Sequence, residues 1–248
     1  MLKIAYCLYG QPRNLEDGYN IISKFVENYN VDFYYHTWTL NHENEVYSHS
    51  NYRNIKIEEI KYDHDIINKI NLLYKPKKYI SELSKYFDYK NFENSLIFNN
   101  LECKDTNRIS NTFSNFYSKQ KVRDLLNETL EKEKINYDLV IISRFDMLKE
   151  INIDLNLLDK NKIYVSNIHN PRYIFSDAIL IMNVDNFLNL MNAYNNLENL
   201  MSNNSLNDLI NSYNEKLVFA PENILFANYL YYFKNFKDIE YIDLPNFV

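Results

Sequence analysis

The chain has two glycines, Gly10 and Gly18, and two cysteines, Cys7 and Cys103. Two glycines in those places cannot spell G-x-G-x-x-G, a Walker A loop or a G-x-S-x-G elbow. The usual signatures of a dinucleotide fold, a P-loop NTPase and an α/β-hydrolase are therefore missing. Two cysteines make neither a four-Cys zinc site nor a disulfide framework, which fits a reducing, cytoplasmic compartment. No run of 18 apolar residues occurs, so no membrane span is expected. The apolar start, Met1–Tyr9, is cut off by Gly10-Gln11-Pro12-Arg13 before any small-residue cleavage site and reads as a strand, not a leader. Positive charge is also short: 27 Lys+Arg against 33 Asp+Glu leave −6. That balance speaks against a general nucleic-acid binder, which needs a basic surface.

What is present is ordinary for a globular domain. The 248 residues are 46% hydrophobic and 24% charged, enough for a sizeable core and against wholesale disorder. No Gly/Ser/Pro-rich linker and no internal repeat divides the chain, so one domain over 1–248 is expected. Asn, Ile, Lys and Tyr are abundant. They share AT-rich codons, and we attach no function to them.

Leu2–Tyr9 is a short apolar run closed by Gly-Gln-Pro, a buried strand. Ile21, Ile22, Phe25, Val26 and Tyr29 recur at helical spacing. Val31–His36 reads as a second strand, giving the opening of a right-handed parallel unit. Thr37–Asn54 is polar and reads as loop, and Ile55–Tyr62 as a weak strand. Asp65–Tyr74 and Ile80–Phe87 read as short helices, and Asn111–Lys134 as a long one. Together they form a helical insertion over about 63–134. Asp138–Ser143 is a continuous apolar run, as expected of a strand covered on both faces. Lys162–Val165, Ala178–Met182 and Ile239–Ile242 are further strands. Val184–Tyr194, Leu206–Tyr213 and a segment opened by Pro221 are helices. The fold class is α/β, with a mainly parallel central sheet flanked by helices.

Parallel sheets bind ligands at the carboxyl ends of their strands. Three polar clusters fall at such ends. Gly10 lets a backbone approach a ligand, Pro12 stiffens the turn after Gln11, and Arg13 offers a planar fork for a phosphate. The bland reading is a turn with a solvated arginine. His36-Thr37-Trp38 follows the second strand. There an aromatic can stack on a base or sugar, or simply fill the core. Arg144 and Asp146 follow the strongest strand. Asp146 can hold a divalent cation, and Arg144 can neutralise a phosphate, or the two can be a structural pair. Asp177, before a strand, and Glu222, in a helical first turn, are candidate bases, and each is also a plausible turn or cap residue. His42, His49, His64 and His169 lack metal-ligand spacing. Lys75, Lys77 and Lys78 beside Tyr74 and Tyr79 form a small basic-aromatic patch, either a solvated helix end or a peripheral contact with an anionic membrane surface.

The order of these elements carries a resemblance. Gly10-Gln11-Pro12-Arg13-Asn14 is followed by Val31-Asp32 leading to His36-Thr37-Trp38. Tyr117-Ser118 with Lys119 and Lys121 comes next, then Tyr137–Ile141 running into Arg144-Phe145-Asp146. Ser176-Asp177 and Pro221-Glu222 close the series. It resembles small bacterial and viral glycosyltransferases of the GT-A type, found among capsule and lipopolysaccharide genes. The resemblance implies a GT-A-like domain, a nucleotide-sugar donor and a carbohydrate acceptor of the surface-glycan kind. It also implies a donor site on Gly10, Gln11, Pro12, Arg13, His36, Thr37, Trp38, Arg144 and Asp146. In that family an Asp-x-Asp element holds the metal and the donor diphosphate. Here Arg144-Phe145-Asp146 stands in its place. Either Asp146 binds Mn²⁺ or Mg²⁺, or Arg144 does the charge work without metal. Asp177 and Glu222 look like the acceptor-side carboxylates, with Asp177 the first choice of base. Two alternatives use the same residues: a nucleotidyl- or phospho-transferase acting on glycans, and a non-catalytic carbohydrate-binding module.

Overall fold

The computed structural model describes residues 1–40, 63–88, 90–92, 95, 106–147, 149–166, 172–174, 176–202, 204–212, 217–233 and 237–243. The expected strand at Ile55–Tyr62, the histidines 42, 49 and 169, and Cys103 lie outside them. Seven strands form one sheet: β1 (Lys3–Gly10), β2 (Asn30–Thr39), β3 (Lys78–Leu83), β4 (Leu139–Arg144), β5 (Ile163–Ser166), β6 (Ile179–Met182) and β7 (Ile239–Ile242). Their order is β3-β2-β1-β4-β6-β5-β7. β1, β2, β3 and β4 pair in parallel, as do β5 and β7, whereas β6 runs antiparallel to both β4 and β5. The fold is α/β with a mainly parallel central sheet flanked by helices, as the sequence implies.

The two faces explain the apolar runs. On β1, Ala5, Cys7 and Tyr9 point into one core, and Ile4, Tyr6 and Leu8 into the other. On β4, Val140 and Ile142 share the first core, and Leu139 and Ile141 the second. A strand buried on both sides has no polar alternation to show. Helices α1 (Leu15–Val26) and α2 (Ile66–Tyr74) contribute to the second core. The long α3 (Thr106–Glu133) lies along β1 and β2 and, with the apolar α7 (Pro221–Phe233), builds the first. Between them in sequence lie α4 (Val184–Leu190), α5 (Leu197–Ser202) and α6 (Asn204–Asn211).

Several boundaries differ from the sequence reading. Ile80–Phe87 is not a helix: Lys78–Leu83 is β3, paired with β2 from Tyr34↔Lys78 to Thr39↔Leu83. Its inward positions are Lys78, Ile80 and Glu82, and its outward ones Tyr79, Ser81 and Leu83. The polarity is nearly inverted, so the period-2 signal fails. Ion partners hold the inward charges, Lys78 pairing with Glu128 at 3.4 Å and Glu82 with Lys85. Thr37–Thr39 extends β2 instead of opening a loop. α4 stops at Leu190, short of Tyr194, and α5 follows unannounced.

Candidate functional site

β6 runs against its neighbours, so its first residues meet the carboxyl ends of β1 and β4. The register sets Tyr9 opposite Arg144 on one side and His36 on the other. Arg144 donates its backbone N–H to Ala178. Polar residues distant in sequence thus collect at one sheet edge.

β1 ends at Gly10 with φ 92, a backbone that side-chain-bearing residues rarely adopt. No described atom lies within 4 Å of where its Cβ would stand. A ligand can therefore come close to this backbone. The Gly10 N–H donates to Ser118 Oγ at 2.9 Å, and Thr37 Oγ1 donates to the Gly10 carbonyl at 3.0 Å. The Arg13 N–H closes the turn onto the Gln11 carbonyl at 2.9 Å, with Pro12 buried between them. Asn14, in the left-handed region, leads into α1.

Arg13 and Arg144 converge on one carboxylate. Arg144 forks onto Asp146, Nε to Oδ1 at 2.8 Å and a terminal nitrogen to Oδ2 at 2.8 Å. Arg13 reaches the same Oδ2 at 2.8 Å. The Asp146 side chain is 8% exposed, and the Arg13 and Arg144 side chains 17% and 25%. Burial works against the Arg144 charge, but Asp146, Tyr9 and Asp177 outweigh it and hold the guanidinium protonated. Gly18 sets the spacing. A Cβ there would stand 1.8 Å from the Phe145 carbonyl oxygen, so α1 lies directly on the loop carrying Asp146.

Asp177 sits in a second, drier cluster. Its Oδ2 accepts from Lys119 Nζ at 2.8 Å, Asn115 Nδ2 at 2.9 Å and Tyr9 OH at 3.3 Å. The Tyr9 hydroxyl also donates to the Asp177 carbonyl at 2.6 Å. Burial pushes the Asp177 carboxyl up. The charges of Lys119 and Arg144 and the Asn115 amide more than reverse this and hold it below the ordinary carboxylate range. Tyr9 is the hub. Burial, then Asp177, Asp146 and Glu222 push its hydroxyl far up against the pull of Arg144, so it remains a donor. Glu222 opens α7, half-buried, within electrostatic reach of Tyr9.

His36, Thr37 and Trp38 are buried on β2. His36 Nδ1 lies 2.7 Å from Ser118 Oγ, and Nε2 lies 3.5 Å from Glu82 Oε1. Ser118 Oγ thus links the Gly10 N–H to the His36 ring. Burial lowers the His36 pKa to about 4 against the opposing pull of Glu82. Trp38 stacks on Tyr117 at 5.5 Å, and Tyr117 donates to Glu82 at 3.0 Å. His36 and Thr37 thus act on the Gly10 turn from beneath, and the half-buried Tyr117 is the outer ring of the stack.

The cation expected at Asp146 does not fit this arrangement. Both carboxylate oxygens are engaged by guanidiniums, which repel a divalent ion. Asp177, the other buried carboxylate beside Arg144, is committed to Lys119. Among the described residues no three His, Cys, Asp or Glu side chains group as a metal site. In the basic-aromatic patch, Lys77 pairs with Glu133 at 2.8 Å and Lys78 with Glu128, Tyr74 is buried, and Lys75 and Tyr79 are exposed.

The sequence reading gave no role to Tyr9, Glu82, Asn115, Ser118 or Lys119. Positions 115, 118 and 119 lie at i, i+3 and i+4 on α3, a polar face inside a buried helix, which was the available signal. Glu82 was hidden by the misassigned helix.

The fold and site together define an α/β protein in which Arg13 and Arg144 share the Asp146 carboxylate at the carboxyl edge of the sheet, beside the buried Asp177. No protein-family model and no curated protein matches the chain. Among solved structures it is similar to the apo form of the glycosyltransferase GlyE of Streptococcus pneumoniae TIGR4, with TM-score 0.40 and 11% identity over 93% of this chain and 43% of that one. It therefore spans less than half of GlyE's length. It is also similar to the galactosyltransferase LgtC in complex with donor and acceptor sugar analogs, with TM-score 0.39 and 9% identity over 91% of this chain and 70% of that one.

Proposed function

We propose that the protein is a nucleotide-sugar-dependent glycosyltransferase of the GT-A kind, acting on a carbohydrate acceptor of the surface-glycan type. The observation that supports this reading best is the meeting of Arg13, Arg144, the open Gly10 turn and the carboxylates of Asp177 and Glu222 at one sheet edge. A donor needs cations at its diphosphate, and an acceptor hydroxyl needs a base. Both kinds of group stand around Tyr9.

In the transfer, an acceptor hydroxyl oxygen attacks the anomeric carbon and the bond to the diphosphate oxygen breaks. The electron pair stays on the phosphate, where Arg13 and Arg144 meet the added charge. The hydroxyl proton passes to a carboxylate. Asp177 was the first choice, but it is buried and held below the ordinary carboxylate range by Lys119, which makes it a weak and poorly reachable base. We assign proton removal to the half-buried Glu222, and to Asp177 the fixing of Tyr9 and Asn115. The Tyr117–Trp38 stack and the Gly10–Arg13 turn form the nucleotide side.

The test is incubation with a panel of nucleotide-sugars and glycan acceptors, following released nucleoside diphosphate and sugar incorporated into acceptor. Release coupled to incorporation supports the reading. Transfer of a nucleotidyl or phosphoryl group to the glycan identifies the rival transferase. Glycan binding with no turnover of any donor identifies a binding module.

A further inference from the structure

We infer that Arg13 and Arg144 form a metal-free site for the donor diphosphate, with Asp146 as the internal counter-ion that the diphosphate displaces. The inference rests on the donor reading above and adds how the charge is met.

Three observations carry it. First, Asp146 is placed as a counter-ion and not as a metal ligand. Oδ1 accepts from Arg144 and Oδ2 from both Arg144 and Arg13, each at 2.8 Å. Two guanidiniums thus engage both oxygens of this one carboxylate. A phosphate can take the place of that carboxylate on the forks, whereas a divalent cation at Asp146 would have to displace both guanidiniums and face their charge. Second, the side chains of Arg13 and Arg144 are partly open to solvent, at 17% and 25%, while that of Asp146 is 8% exposed. Third, Gly10 turns at φ 92 with no described atom within 4 Å of where a side chain would project, so among the described residues nothing keeps a phosphate from the first strand's end beside Arg13.

The planar fork matters. A guanidinium meets a phosphate through two parallel N–H···O bonds, the geometry Arg144 now makes with Asp146. The carboxylate holds the fork in the orientation a phosphate needs. A diester diphosphate offers both forks the oxygens that Asp146 now supplies. Glu16 and Asp17 in the first turn of α1 oppose an anion there, so the site is built on the side-chain forks and not on the helix end.

The experiment is titration calorimetry of the purified protein with UDP, GDP and dTDP, in excess EDTA and in excess MnCl2, on wild type, Arg13→Ala, Arg144→Lys and Asp146→Asn. Circular dichroism checks that each variant is folded. The inference expects at least one nucleotide to bind with the same affinity in EDTA and in Mn²⁺, to within about twofold. Arg13→Ala and Arg144→Lys should each weaken it by about tenfold or more, the second because a lysine keeps the charge but loses the fork. Asp146→Asn should bind more tightly, since the competing carboxylate is gone. Binding that requires Mn²⁺ and is lost in Asp146→Asn overturns the inference and leaves the donor reading standing. No binding of any nucleotide in either condition overturns both. If Arg144→Lys is unfolded, the Arg13→Ala and Asp146→Asn arms still decide, because the metal-ligand and counter-ion roles give Asp146→Asn opposite signs.

Discussion

Lys119 shows how much a single side chain can be asked to hold. Its ammonium is 1% exposed and lies 2.8 Å from Asp177, with the Tyr9 ring 4.8 Å away. Removing one partner of such a pair strands the other as a buried charge and costs about 3–5 kcal/mol. Lys119→Met should lose about that much in urea denaturation. Adding Asp177→Asn should restore part of it, because the stranded charge is gone. A loss in the double variant equal to the sum of the two single losses would show that the pair is not coupled. His36 gives the pH test at this scale. Its folded pKa is about 4, below the ordinary 6.5, so the unfolded chain binds the proton first. The stability from keeping it neutral is complete above pH 6.5 and is lost as pH falls from 6.5 towards 4, by about 3 kcal/mol in all. His36→Asn should flatten that part of the urea-stability profile. A profile as steep as wild type would place the titrating group elsewhere. The two carboxylates separate by turnover: Glu222→Gln should lower it by about 10²–10⁴-fold with nucleotide binding kept. If Glu222→Gln turns over normally, the base is not Glu222.

Legibility was uneven from one element to the next. β1 and β4 were readable because both faces are buried, leaving continuous apolar runs in a short span. β3 was not, because an edge strand that turns Lys78 and Glu82 inward presents no usable period. Of the site, Arg13, Arg144 and Asp146 were legible as strand-end residues, but their sharing of one carboxylate was not. That sharing depends on α1 lying against the loop after β4, and on Gly18 allowing it. In Gly18→Ala the new methyl would stand 1.8 Å from the Phe145 carbonyl oxygen, a backbone atom that cannot rotate away. Helix and loop must separate. Overpacking of this kind costs about 1–3 kcal/mol. Because Phe145 precedes Asp146, we expect Gly18→Ala to weaken nucleotide binding as well as lower the melting temperature. A melting temperature equal to wild type would show that α1 and the loop do not constrain each other.

Across the whole molecule, the sheet order concentrates the chemistry. With β6 reversed, the start of one strand and the ends of two others share one edge, and residues 9, 144 and 177 become neighbours. No periodicity in a sequence announces that reversal, which is why Asp177 was placed correctly at a strand start while Lys119 and Asn115 went unnoticed as its partners. A ligand held by Arg13 and Arg144 would bridge the turn between β1 and α1 and the end of β4, next to elements of both cores, so binding should be felt as global stability. A ligand that binds only the folded chain at 100 times its dissociation constant adds about 2.7 kcal/mol. For a chain of this size each kcal/mol moves the melting temperature by about 2–4 °C, so a saturating nucleoside diphosphate should raise it by about 5–10 °C. The effect is electrostatic at a partly open pair of arginines, so raising the salt from low to about 1 M, where the Debye length falls to about 3 Å, should shrink the increment. The measurement is a thermal melt with and without nucleotide at two salt concentrations. An increment that does not change with salt would mean that the nucleotide is held by stacking and not by the guanidiniums.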